Sequence, residues 1–155
     1  MSTLPDRLDQ LPLLNPPEYP NCFVCGPSNP AGLHLRVHRD GADAIATYAP
    51  SAHQEGYPQR FHGGLVGLLV DEMLVYAGAS HGVWGMTAKV RYWLRRPIPM
   101  DAELELRGRL TQRSDRGFRA KVTIHLSDGR LVAEGEGTCV AWNGGSGGPA
   151  DPAAD

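Results

Sequence analysis

No apolar run in this sequence reaches the ~20 residues that a membrane helix needs. The opening MSTLPDRLDQLPLLNPP has no basic region followed by an apolar stretch, so it does not read as a secretory signal. Cysteines number three, an odd count that makes no disulfide framework. Neither sign of charge is in large excess: the formal net charge is −2, which gives no reason to expect a nucleic-acid or anionic-membrane surface. The phosphate-loop pattern GxxxxGKS/T is missing, which argues against nucleotide hydrolysis. So is GxSxG, which argues against a serine hydrolase. No internal repeat occurs. These absences lead to the expectation of a cytoplasmic protein in a reducing compartment, with no nucleic-acid or membrane partner.

With 155 residues, 41% of them hydrophobic and 21% charged, the chain can build one globular core with tails. Residues 1–21 carry five prolines and read as an extended arm, with a short helical turn near Pro5 to Leu11. The end, from Gly144, is rich in small residues and reads as a disordered tail over 143–155. The domain is expected over 22–142.

Leu33 to His38 alternates as a half-buried strand does, and Ala42 to Tyr48 reads as its hairpin partner. Gly63 to about Ser80 is a long apolar run without proline, better suited to a helix. It is apolar nearly all round, so a buried helix is expected. Met86 to Leu94, Leu104 to Leu110, Phe118 to Leu126 and Leu131 to Trp142 read as strands of an antiparallel meander. Asp128-Gly129 reads as a two-residue hairpin turn. The layout is α+β.

Two acids, Asp71 and Glu72, stand in the middle of this apolar helix. Asp is a poor helix-interior residue, and a buried unpaired carboxylate is costly. Either each acid finds a partner, or one serves as a general base or nucleophile. Glu72 is the secondary candidate for that base. Gly63 and Gly64 leave the first N–H groups of the helix unobstructed at its positive end, where an anion or oxyanion can bind. His62 and Asp71 are nine positions apart, about 13–14 Å along a helix and on nearly opposite faces. One chain cannot bring both ends to one small group. A two-fold dimer with antiparallel helices can.

Lys89, Arg91, Arg95 and Arg96 gather on one strand and its end. They suit the phosphates of an anionic ligand, or form a solvated strand face paired with glutamates. Cys22 and Cys25 form one CxxC. A zinc site wants four ligands, and His34, His38 and His53 are the available additions, but the spacing fits no zinc signature, so no metal is assigned. Cys139 reads as a small core residue.

The pattern His62-Gly63-Gly64, then Asp71 nine residues after the histidine, then Met86-Thr87-Ala88-Lys89-Val90-Arg91-Tyr92-Trp93-Leu94-Arg95-Arg96-Pro97, resembles the hotdog-fold acyl-CoA thioesterases of the phenylacetic-acid-pathway type. The resemblance covers about Cys22 to Trp142. The Cys22-Phe23-Val24-Cys25-Gly26 opening with Asn29-Pro30-Ala31-Gly32-Leu33 is similar to a common subgroup of them. The resemblance implies one long helix wrapped by an antiparallel sheet of five to six strands, and a homodimer or homotetramer (a dimer of dimers). It implies an acyl-CoA substrate and no cofactor. It makes Asp71 the catalytic carboxylate, Thr87 the residue that positions water, and Gly63 with Gly64 the oxyanion hole for the other subunit. His62 would shape the thioester site, and Gln54 or Gln59 would supply a loop amide. A non-catalytic acyl-CoA-binding or regulatory module is the rival function; no match to a hotdog dehydratase motif is found.

Overall fold

The computed structural model describes residues 4–142; the expected C-terminal tail lies outside the described residues. The elements in chain order are α1 (Leu4–Leu8), β1 (His38–Asp40), β2 (Asp43–Tyr48), a 3-10 turn (Ala52–Gln54), α2 (Gly63–Ala79), β3 (Gly85–Leu94), β4 (Leu104–Ser114), β5 (Gly117–Leu126) and β6 (Leu131–Ala141). The strands form one antiparallel sheet in the order β1-β2-β4-β5-β6-β3. The long helix α2 lies on one face and touches every strand from β2 to β6. This is the hotdog fold that the resemblance implied, with the α+β layout that the apolar run predicted; β4, β5 and β6 form the expected meander, whereas β3 leaves that sequential order and pairs with β6 at the far edge.

Alternation in the strands decides what the helix meets. Leu104 and Leu106 of β4, Val122 and Ile124 of β5 and Ala133 of β6 point inward and are essentially fully buried. Val66, Leu69, Val70, Met73, Leu74 and Ala77 of α2 pack onto them. The seat is close because glycines line it. A Cβ on Gly108 would lie 2.5 Å from the Met73 carbonyl oxygen, one on Gly135 2.4 Å from Val70 Cγ1, and one on Gly137 2.6 Å from Leu74 Cδ1. Those three strand positions must stay empty for the helix to sit down.

The helix is not covered all round. Gly64, Leu68, Asp71 and Val75 fall on one stripe that is only part-buried or exposed. Beside that stripe runs β3, whose inward-facing Val90, Tyr92 and Leu94 are 38%, 38% and 52% exposed. On its other side β3 pairs with no described strand.

The two sheet edges are treated differently. Leu33 to Val37 alternates in burial as expected, yet only His38–Asp40 joins the ladder. The preceding residues bond instead to loops: Leu33 N–H to Phe23 O and Leu35 N–H to Val24 O, each near 2.9 Å. From the arm, Leu14 N–H reaches Val37 O, and Asn15 bonds both Leu35 O (2.8 Å) and Val37 N–H (2.7 Å). The arm therefore closes this edge as a surrogate strand, and its helical turn is α1. Two turns close hairpins. Asp40 pairs with Asp43 across Gly41-Ala42, with Gly41 at φ +62°. The Asp128-Gly129 turn holds three residues rather than two: Leu126 N–H bonds Arg130 O, and Gly129 takes φ +90°.

Asp43 pins the first hairpin to β4. It is 7% exposed and accepts from Arg107 at 2.8 Å and from Arg109 at 2.8 and 3.1 Å. Arg109, then Arg107, holds its carboxyl below the usual aspartate range against the opposing effect of burial. A carboxylate with a lowered native pKa stabilises the fold above its unfolded pKa and ceases to as pH falls through the native one. Asp43→Asn is therefore expected to lower the melting temperature at neutral pH. The gap from the unsubstituted protein should shrink as pH falls below about 4, measured by calorimetry at a series of pH values.

Candidate functional site

Two cavities flank α2. One, of about 910 Å³, lies at the start of the helix and is lined by Glu55, Tyr57, Arg60, His62, Gly63, Gly64, Tyr92, Arg95 and Arg96, among others. The other is an open groove of about 400 Å³ lined by Asp71, Val75 and the first residues of β3, including Thr87. The helix start and Asp71 thus face different spaces in one chain, as their spacing predicted.

Glycines at the helix start and a histidine cap explain the first cavity. His62 is the N-cap, in extended backbone conformation, and its Nδ1 accepts from Gly64 N–H at 2.9 Å. A backbone N–H only donates, so the neutral imidazole carries its proton on Nε2. Gly64 N–H is consumed by this cap. Gly63 N–H has no acceptor among the described residues. A Cβ on Gly63 would come within 2.7 Å of Leu94 Cδ1, and one on Gly67 within 2.7 Å of Tyr92, so the end of β3 rests directly on the first turns of α2.

Loop pairing collects the positive charges here. Phe61 N–H bonds Ile98 O at 2.9 Å, and Arg60 bridges to Pro99. This brings Arg60 beside Arg95 and Arg96. Arg95 also pairs with Glu134 at 2.8 Å and lies over the Trp93 ring. Of the anticipated basic group, Arg95 and Arg96 reach the cavity and Arg91 does not. Arg91 is on the outer face, bonded to Glu136, and lines a different depression with Lys89. Arg60 and Tyr57 were not singled out from the sequence; the only local signal for Arg60 is its place two residues before His62. Gln54 lies behind the histidine: its carbonyl accepts from His62 N–H at 3.0 Å, and its side-chain oxygen accepts from Tyr48 Oη at 2.6 Å and Ser51 N–H at 3.0 Å. Gln59 is exposed with φ +61°.

In the second cavity, Asp71 and Thr87 share the groove wall. Thr87 sits at a β-bulge, opposite Cys139 on β6, with its Oγ1 3.8 Å from Cys139 Sγ. Burial pushes the Cys139 thiol up to about 11, with the Asp71 charge adding to the effect and the Thr87 contact opposing it.

Glu72 goes elsewhere. One helical step turns it about 100° from Asp71, toward Cys22 and Cys25. Burial raises its carboxyl above the usual range, and Asp71 adds to that, while bonds from Cys25 and Cys22 oppose it. The Cys25 thiol is likewise pushed well up, first by burial and then by Glu72. His34 and His38 bond Asn29 O and Leu11 O respectively, away from this cluster.

No family model matches the sequence, and no curated protein matches it. Solved structures do. A thioesterase-superfamily protein is 29% identical, with 77% of this chain and 60% of that chain covered and a TM-score of 0.73. This chain thus spans less than two thirds of that protein's length. The Escherichia coli PaaI protein from the phenylacetic acid degradation operon is 20% identical, with 72% and 82% covered and a TM-score of 0.67. A hypothetical thioesterase of Streptococcus pneumoniae, solved with coenzyme A, is 22% identical, with 66% and 82% covered and a TM-score of 0.62. Two more structures of that protein carry an Asp→Ala and a Thr→Ala change.

Removing the cap tests the local geometry. His62→Ala is expected to cost about 1 kcal/mol in denaturant unfolding and to speed amide exchange at Gly64. The fold of this chain is that of the hotdog thioesterases, the PaaI type among them.

Proposed function

We propose that the chain is an acyl-CoA thioesterase that hydrolyses a small-to-medium or aromatic acyl-CoA to the free acid and coenzyme A, at sites completed by two copies of the chain. One observation carries this reading: the acid–hydroxyl groove at Asp71 and Thr87 and the arginine-ringed helix start are separate in one chain, and both border the same uncovered face. That face joins the exposed stripe of α2 to the unpaired edge of β3. Ten residues of free strand edge beside apolar Val90, Tyr92 and Leu94 invite pairing with a second chain. Two-fold pairing there sets the helices antiparallel, and Gly63 of one copy meets Asp71 of the other. The fold match to a protein solved with coenzyme A supports the substrate class.

The chemistry needs a base, an oxyanion donor and a hold on the coenzyme. Asp71 takes a proton from a water positioned by Thr87, and the hydroxide attacks the thioester carbonyl carbon. The developing oxyanion accepts from Gly63 N–H of the second copy, at the positive end of α2. Collapse breaks the C–S bond, and the proton held by Asp71 passes to the departing thiolate. Direct attack by Asp71 on the carbonyl would use the same groups. His62 acts by fixing the helix start, with Gly64 as its bonded partner. Arg60, Arg95 and Arg96 suit the coenzyme's phosphates.

Asp71→Asn should lower coenzyme A release by more than about a hundredfold, followed with a thiol reagent over a panel of acyl-CoAs, while light scattering still reports a dimer. Unchanged turnover would remove Asp71 from the role. Acyl-CoA binding without release by the unsubstituted protein would make the chain a binding module instead, and a fully active monomer would exclude the shared site.

A further inference from the structure

Cys22, Cys25 and Glu72 form a cluster that the thioester chemistry leaves unused. Their two Sγ atoms and a carboxylate oxygen all lie within 4.8 Å of one another, with Cys22 Sγ 3.8 Å from Glu72 Oε1. A zinc-sized tetrahedral site places sulfur and oxygen ligands about 3.6–3.8 Å apart, given metal–ligand distances near 2.1–2.3 Å. The three side chains come from two elements that are already rigid. In the loop, Gly26 N–H bonds Cys22 O at 2.9 Å, closing a single turn from one cysteine past the other. Gly26 cannot be replaced there: a Cβ would lie 2.4 Å from Cys22 N and 2.6 Å from Cys22 O. Phe23 and Val24 anchor the same loop to Leu33 and Leu35. Glu72 is fixed by α2.

One more atom is unexplained. Tyr76, one turn after Glu72, is 1% exposed, and its hydroxyl has no hydrogen-bond partner of good geometry, although Cys25 lies beside it. Cys25 and Tyr76 are buried, Cys22 and Glu72 are half-buried, and among the described residues the Tyr76 hydroxyl is the buried side-chain polar atom left without a partner. A divalent cation resolves this. It takes both sulfurs as thiolates and one carboxylate oxygen, and the Tyr76 hydroxyl then donates to the Cys25 thiolate.

We propose that Cys22, Cys25 and Glu72 bind one zinc-class divalent cation per chain, with water in the fourth position, clamping the Cys22–Gly26 loop to the middle of α2. The mixed thiolate and carboxylate donor set suits zinc over magnesium or calcium. This site does not depend on the thioesterase reading.

The full chain, purified under reducing conditions with zinc present, is expected to carry one zinc per chain by elemental analysis. Replacement with cobalt(II) should give a sulfur-to-cobalt charge-transfer band and the strong visible bands of a tetrahedral ion. Cys22→Ser or Cys25→Ser should weaken metal affinity more than about a hundredfold and remove the charge-transfer band, and Tyr76→Phe should weaken it about tenfold while keeping the band. Unsubstituted protein that holds far less than one equivalent, that binds cobalt with no thiolate band, or that shows only a Cys22–Cys25 disulfide would each overturn the site. These readings on the unsubstituted chain stand whether or not a variant folds.

Discussion

A seventeen-residue helix that is apolar on nearly every side must be covered on nearly every side, and the rest of the molecule follows from how that is done. The sheet supplies most of the cover. It comes close enough only because Gly108, Gly135 and Gly137 present no side chain to the helix. The Cys22–Leu35 segment and the arm cover more, with Val24, Cys25, Leu33 and Leu35 all in the core. What remains is one stripe, and that stripe contains Asp71.

The unfinished stripe and the unfinished sheet edge coincide. At the β1 edge, Leu13, Leu14 and Asn15 occupy the open hydrogen-bonding groups of the chain. At the β3 edge no described segment does so. A protein that blunts one edge with a dedicated arm and leaves a ten-residue edge bare, beside exposed Tyr92 and Leu94, has a face suited to a second copy. The separation of the two cavities has the same origin. A helix rises about 1.5 Å per residue, so its start and its midpoint cannot meet unless another helix runs back along it.

The paired acids illustrate how one helical step divides labour. Asp71 opens onto a groove with Thr87; Glu72, about 100° round, turns toward the half-buried Cys22, the buried Cys25 and a phenol. The same local sequence therefore serves two environments with opposite demands on a carboxylate. In one it stands at an accessible wall. In the other burial drives it toward its neutral form unless a cation joins it.

Periodicity and composition were enough for the helix, whose expected span of Gly63 to about Ser80 differs by one residue, and for the strands themselves, because apolar alternation reports directly which side faces a core, but not for the place of β3, which pairs with β6 instead of β4. The nine-residue spacing from His62 to Asp71 was enough to separate the two ends of the site, because helix geometry is nearly invariant. What depends on contacts between distant segments was not legible. Leu33–Val37 has a strand's pattern yet bonds to loops, since a period of two records burial and not the hydrogen-bond partner. Arg60 joins Arg95 and Arg96 through a loop bridge, and Arg91 is taken away by Glu136 across the sheet. Glu72 meets a CxxC fifty positions earlier, a pair for which only histidines had been weighed as additional ligands and no metal assigned. The sequence alone determined which segments are buried and how far apart residues on one helix lie, for those are local properties of the chain. Only the tertiary structure decided which charged and polar side chains meet, because that depends on loop closures and strand pairings between residues far apart in the sequence.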